Sequence, residues 1–358
     1  MIAQEKYVPI LKCKAGEFIA LAKLPDSLKD ETVPIADLVP VQNKKSFVEH
    51  IKSSISYIVK YWDNEKLLYL DGYMLQDTYL TIGKKKYMEY IFDELRRNEN
   101  NVIPVVSNIS NLEYLKQVKN IIEKDGKGVC LRIFGDRELN INDEIERTIQ
   151  RLDLNINQID LLIDLQSVET LKVEEICTWQ KDILLNLVYS SSWRSLFLAG
   201  SSFPINLIKL TANQIHIIPR KHWLAWKQLT NEKEIGRIPT YSDYGISHPL
   251  IAEVDGIPNA SASIRYTYEN EYYIYRGRGT RQQGFEQFYD LSESLMNSNE
   301  FYGTEHCAGD RYINICGTKK EKPGSLTTWR WVGTCHHLTV VINQLRQFWR
   351  DFNAERTS

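Results

Sequence analysis

The sequence is short of the features that would assign a function quickly. Its six cysteines (Cys13, Cys130, Cys177, Cys307, Cys316 and Cys335) include no Cys-x-x-Cys pair. In a chain of 358 residues that excludes a dense disulfide framework and points to reduced thiols. Charge of one sign is also missing: 44 Lys and Arg against 46 Asp and Glu give a net charge of -2, so any nucleic-acid or membrane attraction must come from a local patch. No apolar run approaches a bilayer span, and the opening Met1-Ile-Ala-Gln-Glu-Lys6 lacks a basic stretch followed by an apolar one. A cytoplasmic protein without a membrane segment is the expectation. No Gly-x-Gly-x-x-Gly follows the first apolar run and no Gly-Lys-Ser/Thr occurs, which removes the dinucleotide fingerprint and the P-loop. No low-complexity tract divides the chain.

What is present is a repeat. Val8-Pro-Ile10, Val33-Pro-Ile35, Ile103-Pro-Val105 and Ile238-Pro-Thr240 each open a short apolar run. Proline has no amide hydrogen, so the first residue of a strand is where a sheet tolerates it best. Eight such runs can be counted: 7–12, 32–37, 67–71, 102–106, 129–133, 159–164, 195–199 and 237–241. Each is followed by apolar residues at helical spacing, such as Phe47, Ile51, Ile55 and Ile58, or Ile141, Ile145, Ile149 and Leu152. Strands apolar throughout are covered on both faces, as in a parallel sheet. Eight βα units predict an α/β fold, a TIM-like (β/α)8 barrel, over residues 1–245. An α+β insertion after the eighth strand is expected over 246–331, with a β-hairpin made of 261–268 and 272–276, and a helix near 285–296. A C-terminal helix within 332–358, carrying Leu338, Val341, Ile342, Leu345 and Phe348, would complete the barrel.

The barrel reading places polar residues at one mouth, beyond the carboxyl ends of the strands. These are Lys12, Lys14, Asp37, Asp71, Asn108, Arg132, Asp136, Asp164, Ser201, Ser202 and Asp243. Carboxylates facing lysine and arginine suit a phosphorylated ligand, with or without a divalent metal such as Mg. Asp71, Asp164 and Lys14 are the candidate catalytic set, because a lone charge at the end of so apolar a strand is costly. Lys12, Arg132 and Asp243 are candidate ligand contacts. The plainer reading of such residues is helix capping, for which Asn43 and Asp136 are suited. Lys14-Ala-Gly16-Glu17 offers helix amides to an anion, though it is too short for a P-loop.

A second group is His306-Cys-Ala-Gly-Asp-Arg311 with Trp329-Arg330 and His336-His337. Its spacings match no structural zinc pattern, so no metal ligand is assigned, and a Cys–His nucleophile has no stronger signal. The two histidines are expected to precede the last helix, one packed inside and one facing the mouth. Arg276, Arg278, Arg311 and Arg330, with His336 and His337, are candidate ligand contacts, the arginines through their planar donor fork. A third feature interleaves basic and aromatic residues: Arg265-Tyr266, Tyr268, Tyr272, Tyr273, Tyr275-Arg276, Arg278 and Arg281. It suits a nucleic-acid or protein partner, and equally an ordinary strand rich in tyrosine.

Tyr7-Val-Pro-Ile-Leu-Lys-Cys-Lys-Ala-Gly-Glu-Phe-Ile-Ala-Leu21 resembles the opening block of the beta protein family, named after a bacteriophage T4 protein. Ser263-Ile-Arg-Tyr266, Arg276-Gly-Arg278, Gly309-Asp-Arg-Tyr312 and Trp329-Arg-Trp-Val-Gly-Thr-Cys-His-His337 are similar to its later blocks, with Cys13 a minor departure between two lysines. The resemblance implies an origin in phages or in mobile and defence-associated bacterial regions. A role in phage defence or phage–host conflict, with a possible protein partner of a defence system, is what that context implies. It implies no reaction. Two functions stay open: recognition of a phosphate-bearing small molecule or nucleic acid, or a metal-assisted phosphoesterase or nucleotide-processing enzyme.

Overall fold

The computed structural model describes residues 1–41, 46–78, 81–251 and 260–357. In chain order the elements are β1 (Val8–Lys12), α1 (Ala15–Ala22), α2 (Asp26–Lys29), β2 (Ile35–Asp37), α3 (Phe47–Tyr61) and β3 (Leu68–Asp71). A small hairpin, β4 (Thr81–Ile82) and β5 (Lys85–Lys86), precedes α4 (Tyr87–Arg97). Then come β6 (Val102–Ser107), α5 (Leu112–Asp125), β7 (Val129–Phe134), α6 (Ile141–Leu152), β8 (Ile159–Ser167), α7 (Val173–Asn186) and β9 (Ser195–Ser201). The chain ends through β10 (Gln214–Pro219), α8 (Lys221–Leu229), β11 (Thr240–Asp243), β12 (Ser261–Tyr268), β13 (Glu271–Gly279), α9 (Thr280–Gln283), α10 (Gln287–Met296), α11 (Ala308–Gly317) and α12 (Leu326–Thr357).

Eight parallel strands close in the order β1-β11-β9-β8-β7-β6-β3-β2. This is the expected barrel. Alternation along each strand explains why the runs are apolar throughout. In β7, Leu131 and Ile133 join the layer under the helices, while Cys130 belongs to the cluster that fills the barrel. The filling also includes Val8, Ile10, Ile35, Tyr69, Val105, Leu162, Phe197 and Tyr244, so the axis is packed and not a pore. Its lower end is tied by the Arg194 guanidinium and the Tyr69 hydroxyl, both donating to Asp160.

Two prolines depart from the expected position. Pro34 and Pro239 stand just before β2 and β11, but Pro9 and Pro104 lie within β1 and β6. Each costs one ladder donor, and pairing on both sides of the strand carries the remainder. The α3 helix is capped by Ser46 in a reciprocal box with Glu49; Asn43 lies outside the described residues. Asp136 is not a helix cap either. It accepts the Glu138 amide in a turn, and Asn140 caps α6.

Beyond the barrel, β12 and β13 form the expected hairpin, and β10 pairs with the outer edge of β13 to make a three-stranded sheet. The third strand comes from the connection after the seventh barrel strand. The last helix begins at Leu326, before His336 and His337, and packs on α1, α11 and β12. Both histidines therefore sit inside α12 and both are fully buried, which corrects the expectation that they precede it. Among the described residues no helix is long and apolar enough to cross a membrane.

Candidate anion-binding site at the barrel mouth

Strand parity decides where each polar residue points. Arg132 follows Cys130 on the inward face of β7, and its guanidinium takes the upper layer of the barrel. It donates Nε–H to Asp164 Oδ2 and Nη1–H to Asp37 Oδ1 and Asp71 Oδ2, each at 2.8 Å, and Nη2–H to the Tyr244 hydroxyl at 2.7 Å. Tyr244 in turn donates to Asp164. The second oxygens of Asp71 and Asp164 accept backbone amides, Tyr73 N–H on Asp71 and Gln166 N–H on Asp164, both at 2.9 Å. The rings of Phe134 and Tyr73 lie over the guanidinium, their centroids 4.6 and 5.2 Å from its carbon. Arg132, Asp71 and Asp164 are fully buried, and Asp37 nearly so. Burial pushes the Asp37 carboxyl up to about 7 against the pull of Arg132, with Asp71 adding to the rise. Burial likewise raises Asp71. Three carboxylates thus share one cation in a sealed chamber, and every donor of Arg132 is spent inside the protein.

Asp243 points the other way. It shares the outward parity of Tyr241 on β11 and meets α12, not the mouth. Its carboxylate accepts the hydroxyls of Tyr7 and Tyr241, the Gly245 amide at 2.8 Å, and a contact to His337 Nε2 at 3.3 Å. Thr267 Oγ1 holds the other ring nitrogen of His337 at 2.7 Å. Burial raises and His337 lowers Asp243, whose carboxyl ends below the usual range. This network pins the last helix to the barrel.

A separate group of cations lies beside the mouth, between β1, α1, β12 and α12. Lys12 is inward at the end of β1, and its ammonium donates to the carbonyls of His248 and Leu250 at 3.1 and 3.2 Å. Lys14 precedes α1. Arg330 donates to Ser247 Oγ at 2.9 Å and stands 3.7 Å from Glu17. Arg265 donates to the Ile246 carbonyl at 2.8 Å and packs its guanidinium on the Phe203 ring at 4.9 Å. Arg330 lowers each of the other three. Burial, then Arg330 and Lys14, pull Lys12 down to about 8. Burial lowers Lys14, with Glu17 opposing and Arg330 adding to the fall. Burial and then Arg330 push Arg265 well down. Gly16 lets α1 approach, since a Cβ there would stand 2.5 Å from Arg330 Cγ. Arg265 and Arg330 line a cavity of about 150 Å3 whose other walls include Ser261, Ser263, Phe288 and Trp329.

The remaining candidates are scattered. Arg276 reaches Ser261 at 3.2 Å on the edge of that cavity, Arg278 is exposed on β13, and Arg311 faces Glu305 at 3.5 Å on the surface. Asn108 accepts the Phe134 amide; Ser201 and Ser202 donate to the carbonyls of Ser247 and Pro219. Tyr266, Tyr272 and Tyr275 are buried, so the basic–aromatic stretch is mainly core and not a stacking platform. His336 is engaged by Asp310 and Thr267 in a cluster of its own. Sequence reasoning left Tyr244 and Tyr73 out of the site, and it set Arg265 in the basic–aromatic stretch and Glu17 at the start of α1, apart from Lys12 and Arg330. A count of strand parity would have found the inward Tyr244; Arg265 joins the group only when β12 is laid against α12.

No curated protein matches the chain. Among solved structures, a mutant tryptophan synthase α-subunit from the hyperthermophile Pyrococcus furiosus is similar at 13% identity with a TM-score of 0.39, covering 68% of this chain and 88% of that one. A family model described as Beta protein matches residues 7–343, nearly the whole chain, and the protein belongs to that family.

Proposed function

We propose that the protein recognises a phosphate-bearing ligand at this cationic pocket. One observation carries the reading: Arg265 and Arg330 line a cavity with Lys12 and Lys14 close by, and burial together with Arg330 lowers Lys12, Lys14 and Arg265, with Glu17 a carboxylate neighbour that all three share. Like charges gathered at that cost are stabilised when an anion joins them. The volume, about 150 Å3, is below the ~300 Å3 at which pockets take drug-sized ligands, so it suits a phosphate group and not a whole nucleotide. The rest of a nucleotide or nucleic acid would lie outside, past Ser261 towards Arg276. The setting we propose is phage defence or phage–host conflict, which rests on the family resemblance.

Recognition is favoured over metal-assisted turnover because Asp71 and Asp164 are committed to Arg132 and closed off from the pocket. The test is calorimetric titration with inorganic phosphate, pyrophosphate, a nucleoside triphosphate and a short oligonucleotide. Wild type is compared with Arg330→Gln, Arg265→Gln and the outward Arg278→Glu. Losing one charge-assisted contact of ~1.5–3 kcal/mol weakens binding by about 10- to 150-fold in the first two variants, and the third binds as wild type. Binding that survives Arg330→Gln and Arg265→Gln, or that disappears in Arg278→Glu alone, sinks the assignment to this pocket.

A further inference from the structure

We propose a second site, a structural zinc centre built by His306, Cys307, Asp310 and His336. Its first three residues fall at the start of α11 and its fourth on α12. One ring nitrogen from each histidine and one oxygen of Asp310 lie within 4.8 Å of one another. His336 Nδ1 is 2.8 Å from Asp310 Oδ2, and the Cys307 thiol is 2.9 Å from that same oxygen. Two protons therefore converge on one carboxylate oxygen. A third donor, His306, brings a buried Nε2 that has no hydrogen-bond partner. A divalent cation resolves both features at once: it replaces the two protons and gives the unpartnered ring a ligand role.

The surroundings are those a metal site requires. His336 donates its other N–H to the Thr267 carbonyl at 2.7 Å, which fixes the ring and leaves Nδ1 for the metal. Tyr266 donates its hydroxyl to the second oxygen of Asp310 at 2.7 Å and stacks on the His336 ring, centroids 3.7 Å apart. The Gly309 amide donates to the Cys307 sulfur from 3.2 Å at the first turn of α11, which holds the side chain in place beside Asp310. Two imidazole nitrogens and a carboxylate oxygen already lie together, and the Cys307 sulfur next to Asp310 would add a fourth donor, a set of the kind zinc takes and softer than magnesium or calcium prefer. Four protein ligands would leave no coordination position for a substrate, so the site is structural, and two of them, Asp310 and His336, are fully buried. Loading it releases the protons now on Cys307 Sγ and His336 Nδ1, and the ion would tie α11 to α12. It is independent of the anion pocket, sharing none of its residues.

The experiment uses the full chain, purified without chelators and then stripped and reloaded. Zinc content by mass spectrometry and the visible spectrum of the Co2+-substituted protein are measured for wild type, His306→Ala and Cys307→Ser. Circular dichroism confirms that each is folded; His306 is half-buried, and its replacement removes no existing hydrogen bond that involves Nε2. Wild type is expected to hold one zinc per chain and to give intense tetrahedral Co2+ bands with a thiolate charge-transfer band. His306→Ala should bind zinc at least ~10-fold more weakly, and Cys307→Ser should lose the thiolate band. Wild type without stoichiometric zinc, a cobalt spectrum lacking the thiolate band, or unchanged affinity in His306→Ala each overturns the assignment.

Discussion

At the scale of single residues, the two charge groups near the mouth ask for opposite outcomes on substitution. Arg132 holds three buried carboxylates, and removing it strands them. Arg132→Met is expected to lower unfolding stability by ~3–5 kcal/mol, read from urea denaturation; a loss under ~1 kcal/mol would mean the aspartates find other partners. Asp37→Asn removes the carboxylate that burial already pushes up to about 7, so above that pH it should cost far less than Arg132→Met. The sign follows from linkage. A carboxyl raised above its unfolded value binds an extra proton in the folded state between pH 3.8 and about 7, so stability falls as pH rises through that window. Asp37→Asn should flatten that slope. Lys12 behaves differently, because it faces Lys14, Arg330 and Glu17 near the ligand pocket as well as Asp37. Its ammonium titrates at about 8, and an anion binds the charged form. Affinity for sulfate, whose own charge is constant there, should fall as pH rises through 8, and Lys12→Arg should remove the fall. A flat profile in wild type would separate Lys12 from the site.

At the scale of elements, glycines set how closely α12 can lie on its neighbours. Gly333 packs against β12, where an added Cβ would stand 2.7 Å from the Arg265 carbonyl. Gly333→Ala is expected to cost ~1–3 kcal/mol and to weaken anion binding through the displaced Arg265, with charge unchanged. Thermal denaturation and the phosphate titration read the two effects; retained stability would mean that α12 shifts freely. The same elements show what the sequence made legible. Eight apolar runs with helices between them gave the barrel, because alternation with both faces covered leaves a continuous apolar signal. The hairpin was readable from the tyrosine-rich strands around Glu269 and Asn270, which form its turn. The β10 strand was not, since Ile215 and Ile217 are exposed and Gln214 and His216 alternate with them without a buried face. At the mouth, the residue types were readable and their directions were not. Asp243 and Tyr244 differ by one position and face opposite sides of the barrel wall.

At the scale of the whole molecule, α12 is the closing element. It packs on α1, sets His337 against Tyr7 and Asp243, and carries Arg346, which forks onto Glu31 beside the start of β1. A chain ending at Ser325 loses all of these and should show no cooperative unfolding transition by calorimetry; a sharp transition would mean that the remaining helices close the barrel alone. The three-stranded sheet adds a constraint of a different kind. Its strands come from both sides of the eighth barrel strand, β10 from before and β12 and β13 from after. The sheet therefore cannot be lifted out as a cassette. Excising 246–325 would leave β10 as an orphan edge bearing Ile215 and Ile217, a template for adhesion between chains. In descent as in engineering, the accessory sheet and the barrel are expected to be gained, lost or exchanged together.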